Sequence, residues 1–115
     1  MKTQSAILFL VMILFVSCSQ STEPLPDWVK NKISEFQIQP VANPPKSIWQ
    51  YQYKNQTVYF IPAHCCDEYS ELYNIDGSII CAPDGGITGK GDGKCSDFFT
   101  ERKNEKLIWK DSRTQ

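Results

Sequence analysis

The sequence predicts an α+β fold. It comprises a single small antiparallel β-sheet of four or five strands, packed against one N-terminal helix and one short C-terminal helix and held by two disulfides. Three observations carry this prediction. Residues 48–61 alternate apolar and polar with a break for a turn; Asp76-Gly77 is a second hairpin signal between apolar residues; and four cysteines remain once Cys18 is set apart. A chain of 115 residues, 41% hydrophobic, accommodates one domain of ordinary size and excludes large multi-part catalytic machinery.

The elements follow in order. Lys2 and the apolar run 6–16 read as a signal segment. Eleven helical residues span about 16 Å, too short for a bilayer core of roughly 30 Å. The run ends in Phe15-Val16-Ser17-Cys18, which resembles a bacterial lipobox, although Phe15 stands where leucine is usual. The expected organisation is therefore a lipoprotein signal peptide over 1–17, a lipidated tether over 18–26 and a disulfide-stabilised domain over 27–115. Two or three acyl chains on Cys18, palmitate among them, would hold the chain on a membrane where one would bind reversibly. The expected location is the cell envelope, at the outer membrane.

Pro26-Asp27-Trp28 suits the first turn of a helix running to about Phe36, with Val29, Ile33 and Phe36 on one face. Pro40, Pro44 and Pro45 make 39–46 irregular. Strands 48–53 and 57–61 form a hairpin about Asn55-Gln56, so that Tyr53 faces Val58 and Tyr51 faces Phe60. Trp49, Tyr51, Tyr53, Val58 and Phe60 then share a core face, and Gln50 and Gln52 lie on the other. A second hairpin, 72–75 with 78–81, turns at Asp76-Gly77 in the type I′ geometry. Ser96 or Asp97 caps a short helix to about Lys103, and Leu107-Ile108-Trp109 closes the sheet. The interleaved charges of the last fifteen residues read as a solvated helix face.

An even count of cysteines in a short exported domain argues for two disulfides among Cys65, Cys66, Cys81 and Cys95. Adjacent cysteines rarely pair, because that ring strains the peptide between them. Two connectivities survive: 65–81 with 66–95, or 65–95 with 66–81. Zinc is disfavoured by the adjacency of Cys65 and Cys66. A His64–Cys65 nucleophile is disfavoured because neighbours on an extended segment point apart.

Residues 82–94 (A-P-D-G-G-I-T-G-K-G-D-G-K) hold five of the six glycines. Asp84 stands where a P-loop needs its first glycine, and Gly91 follows the Gly89-Lys90 pair where Ser or Thr must hold magnesium. Asp84 and Asp92 are hard oxygen donors and the calcium candidates, although EF-hand spacing is absent. Asp and Gly are also the residues of plain turns. The loop, through Asp84, Gly85, Gly86, Thr88, Lys90 and Asp92, is the candidate interaction site.

Several blocks carry a resemblance: N-P-P, S-I-W-Q-Y-Q-Y, V-Y-F-I-P-A-H-C-C-D, I-C-A-P-D-G-G-I-T-G-K-G-D-G-K-C and L-I-W-K-D. Over about residues 28–111 the chain resembles a family of small envelope lipoproteins from Bacteroidota, a domain of unknown function. The resemblance implies an envelope lipoprotein and supplies no catalytic residues.

A net charge of −1 offers no basic footprint for nucleic acid. The expected role is a membrane-anchored binding module for a protein or glycan, without a cofactor. The alternatives are a small envelope enzyme using carboxylates such as Asp67, Glu68, Asp84 and Asp92, or a purely structural envelope protein.

Overall fold

In a computed structural model the structure describes residues 23–65 and 67–114. The expected signal peptide, Cys18, the start of the tether and Cys66 lie outside the described residues. Helix α1 (Asp27–Ile38) is followed by β1 (Ser47–Tyr53), β2 (Gln56–Ile61), β3 (Glu71–Asn74), β4 (Ile79–Cys81), the one-turn α2 (Phe98–Glu101) and β5 (Lys103–Lys110). The strands form one antiparallel sheet in the order β4-β3-β2-β1-β5. The fold class and the strand number match the sequence expectation.

The sheet is buried on both faces. One face carries Tyr51, Tyr53, Val58, Phe60 and Leu72 beneath Cys81, Cys95 and Phe98. The other carries Ile48, Tyr59, Ile61 and Tyr73 against Val29 and Phe36 of α1. The side of β1 that bears Gln50 and Gln52 is therefore not an open polar surface; α1 covers much of it. Trp28 of α1 packs edge-on to Tyr59 at 5.4 Å and lies 4.9 Å from Tyr73. Its Nε1 donates to the Ile75 carbonyl at 2.8 Å.

The first hairpin turns one residue earlier than expected. Lys54 and Asn55 both adopt positive φ (49° and 61°), the geometry of a type I′ turn, so Tyr53 pairs with Gln56, Tyr51 with Val58 and Trp49 with Phe60. The partner of each β1 residue moves by two positions. Side chains alternate with a period of two, so the expected core face survives the change. The second hairpin departs in turn type. Only Gly77 has positive φ (88°), with Gly77 N donating to the Asn74 carbonyl and Asn74 N to the Ser78 carbonyl. That is a type I turn closed by a glycine bulge in place of the expected type I′.

The C-terminal part differs more. The short helix ends at Glu101 rather than near Lys103, and β5 begins there as an eight-residue strand. The charged tail is thus an edge strand and not a helix face. Exposed Lys103, Glu105 and Lys106 guard that edge against pairing with another chain. Asp97 stands at the N-cap of α2 but makes no capping bond. Its carboxylate accepts from the Tyr53 hydroxyl and lies 3.6 Å from Lys54 Nζ.

Beyond β5 the chain clamps α1. Arg113 donates through Nη1 to the Gln37 carbonyl and through Nη2 to the Phe36 carbonyl, at 2.9 and 3.1 Å. These carbonyls belong to the last turn of the helix, where intrahelical donors run out; the Phe36 carbonyl also accepts from Gln39 N at 3.3 Å. Arg113 is itself held by the buried Asp111 at 2.8 Å. The Arg113 side chain and backbone N–H donate to the Asp111 carboxyl and hold it below the usual carboxylate range. A carboxyl depressed in the folded state stabilises the fold above its unfolded value of about 3.9 and loses that contribution as pH falls through the folded value. Arg113→Ala is expected to move acid unfolding, followed by circular dichroism, to higher pH. An unchanged acid midpoint would contradict the clamp.

Candidate functional site

The chain must pass from β4 at one edge of the sheet to β5 at the other. It does so through residues 82–94 and α2, over the face opposite α1. A disulfide between Cys81 and Cys95 closes this passage at both ends, with an S–S distance of 2.01 Å and a separation of 14 residues. This bond overturns both expected connectivities, since each paired Cys81 with Cys65 or Cys66. The physical reason lies in the fold. Cys81 ends β4 and Cys95 opens the approach to α2, so the core brings both side chains together with about 2% and 3% of their surface exposed. Cys65 follows β2 on the surface and is not a free thiol.

The base of the loop is fixed by a second set of contacts. Ser70 is fully buried beside it. Its hydroxyl donates to the Asp84 side chain and accepts from the Asp84 backbone N–H at 3.2 Å, and Ser70 N donates to the Asp84 carbonyl at 3.1 Å. Gly86 N donates to the Glu68 carbonyl at 3.0 Å. A Cβ on Gly85 would stand 2.3 Å from the Glu68 carbonyl oxygen, and one on Gly91 would stand 2.0 Å from that of Ala82. Both residues also have positive φ, so only glycine lets the backbones approach this closely. The glycines therefore pack the loop down rather than loosen it.

These contacts assign the sequence candidates. Asp84 is a pin, turned inward to Ser70. Asp92 caps its own turn. Its Oδ1 accepts from Lys94 N at 2.9 Å, and that backbone donor lowers the carboxyl below its usual value. Among the described residues no group of three or more His, Cys, Asp or Glu side chains is placed to hold a metal ion. Gly85 and Gly86 form the base, while Thr88 and Lys90 stand on the exposed tip, where Lys90 N donates to Thr88 Oγ1 at 3.3 Å.

Sequence reasoning missed the most exposed apolar residue of the tip. Ile87, next to Thr88, is 92% exposed, and Tyr69 beside the base is 54% exposed. The Gly86 backbone packs on the Tyr69 ring, within 2.6 Å of where its Cβ would be. The only available signal was an isoleucine inside an otherwise polar glycine-rich run.

A family model for a domain of unknown function (DUF6970) matches residues 34–111. The chain belongs to this family. The DUF6970 region takes in the end of α1 from Ser34, all five strands, the disulfide, the loop and α2. No curated protein and no solved structure matches the chain.

Proposed function

We propose that the DUF6970 domain is a binding module, held at a membrane of the cell envelope by lipid on Cys18, which presents loop 82–94 to a protein partner. The observation that supports it is the contrast within the loop. Its base is tied by a disulfide, by Ser70–Asp84 and by the Gly86–Glu68 bond, yet its tip exposes Ile87 almost completely. Ile87 in water adds no apolar burial to the chain's own fold, while the base beneath it is tied down. A partner with an apolar pocket gains an anchor whose ordering cost has already been met.

The anchoring half rests on the apolar run 6–16 and the lipobox-like Phe15-Val16-Ser17-Cys18. Membership of a group of small Bacteroidota envelope lipoproteins is part of the same reading. Among the described residues no helix is long and apolar enough to cross a membrane. Intact-mass analysis of the membrane-extracted protein is expected to show acyl chains on Cys18. A free thiol there would remove the anchor.

The binding half is tested by capture from native membranes with wild type, Ile87→Asp and a control, Lys106→Ala, on the exposed edge strand. A partner retained by wild type and control is expected to be lost with Ile87→Asp. Melting temperature should be unchanged, because the side chain makes no core contact. A partner retained equally by all three proteins would show that the loop tip is not the contact.

A further inference from the structure

The first hairpin turn, α2 and the start of β5 enclose a second feature, an open cleft of about 510 Å³ on a different part of the surface from the loop tip. Its walls are built with care for geometry. Lys54 and Asn55 form the type I′ turn at one side. At the other, Gln50 pairs with Lys106 and Gln52 with Lys103, so β5 fits one residue more than β1 over this stretch. The extra residue falls beside Asn104, which adopts φ 55°. Lys54, Asn55 and Asn104 are the non-glycine residues of positive φ in the described chain, and all three line this cleft. A bulge with a left-handed residue costs energy and re-aims side chains; here it turns Lys103 and Asn104 into the cleft.

The polar groups divide into two sets. Asp97 and Lys54 are satisfied, by each other and by the Tyr53 hydroxyl and ring. The Glu101 carboxylate and the Lys103 ammonium line the same cleft with opposite charge, yet neither is hydrogen-bonded or ion-paired with the other or with any other group among the described residues. The side chains of Asn55 and Asn104 are likewise without partners there. The neighbouring Arg102 does not fill the gap, because its guanidinium turns away to the Tyr51 hydroxyl and lies 4.9 Å over the Phe99 ring. The cleft as a whole balances two cations against two anions. It offers one carboxylate, one ammonium and two amides that can both donate and accept, and no exposed ring face for stacking.

We propose that this cleft binds a small zwitterion, an amino acid or short peptide, with its ammonium on Glu101, its carboxylate on Lys103 and its peptide groups on Asn55 and Asn104. A ligand with one net charge leaves one of the two cleft charges unmatched, whereas a zwitterion matches both. The site is solvent-open, so each ion pair contributes modestly and the affinity is weak.

The test is a titration of the isotope-labelled full chain with glycylglycine, followed by amide chemical shifts. Saturable shifts at Gln52, Asn55, Lys103 and Asn104 are expected, with a dissociation constant of about 1 mM. N-acetylglycine carries only the carboxylate and glycinamide only the ammonium; each is expected to bind roughly fivefold more weakly. Glu101→Gln and Lys103→Gln should each weaken glycylglycine roughly fivefold with no change in melting temperature, since both side chains lie on the surface. Shifts that do not saturate, half-ligands that bind as well as the dipeptide, or undiminished binding to both variants would each overturn the proposal. So would maltose displacing glycylglycine, which would make the site one for neutral hydroxylated ligands.

Discussion

Replacing Phe98 with alanine is expected to lower the unfolding free energy by about 3–5 kcal/mol, a large share of what a domain of this size possesses. Phe98 has no exposed surface. Its ring lies 5.5 Å from Tyr51, 5.4 Å from Tyr53, 5.3 Å from Phe60 and 5.2 Å from Phe99. It is thus the side chain through which a four-residue helix closes one face of the sheet. A single helical turn cannot sustain itself, because nucleation fixes several residues for one hydrogen bond. The burial of Phe98 is what keeps α2 in place, and the truncated side chain leaves a cavity that the rigid strands below cannot fill. Chemical denaturation measures the loss, and Phe98→Leu, which keeps more of the volume, is expected to cost under half as much. A loss below about 1 kcal/mol for alanine would mean that the face collapses freely and that α2 is held by something else.

The core on this face was largely legible from sequence for a reason that the hairpin makes plain. The alternation of Trp49, Tyr51 and Tyr53 against Val58 and Phe60 fixes which side of each strand is buried. It does not fix which residues stand opposite, and a change of two positions leaves the faces intact. Turn chemistry decides the register. Lys54-Asn55 outcompeted Asn55-Gln56 because Asn tolerates positive φ at the second turn position, and no apolar pattern reports on that.

The disulfide was illegible for a different reason. Cys81 and Cys95 meet because β4 is an edge strand and the chain crosses the sheet to reach β5, a fact of topology that spacing does not encode. Strand β5 was underestimated because its exposed residues 103–107 carry no alternation; it is a strand by pairing with β1, not by burial. The candidate loop was found through its glycines. The roles of its residues were not, since Asp84 and Asp92 look alike in sequence and only the neighbouring Ser70 tells a pin from a turn cap.

The double variant Cys81→Ala/Cys95→Ala is expected to lose about 3 kcal/mol, the loop-entropy value for a ring near fifteen residues. For a domain of this length that corresponds to a melting temperature lower by roughly 12–24 °C. The effect arises in the unfolded chain, which gains freedom when the link is gone, and the small cavity left by two buried sulfurs adds to it. The loop itself should stay in place while the protein is folded. Ser70 still grips Asp84, Gly86 N still reaches the Glu68 carbonyl, and Gly85 still packs beneath Tyr69. Stability and recognition are therefore expected to separate. Well below its melting temperature the variant should retain a partner bound through Ile87, whereas Ile87→Asp loses that partner at full stability. If the folded variant instead fails to bind while its circular dichroism is native, the hydrogen-bonded base is insufficient. The Cys81–Cys95 link would then be what orders the tip, and the disulfide would belong to the recognition surface rather than only to the core.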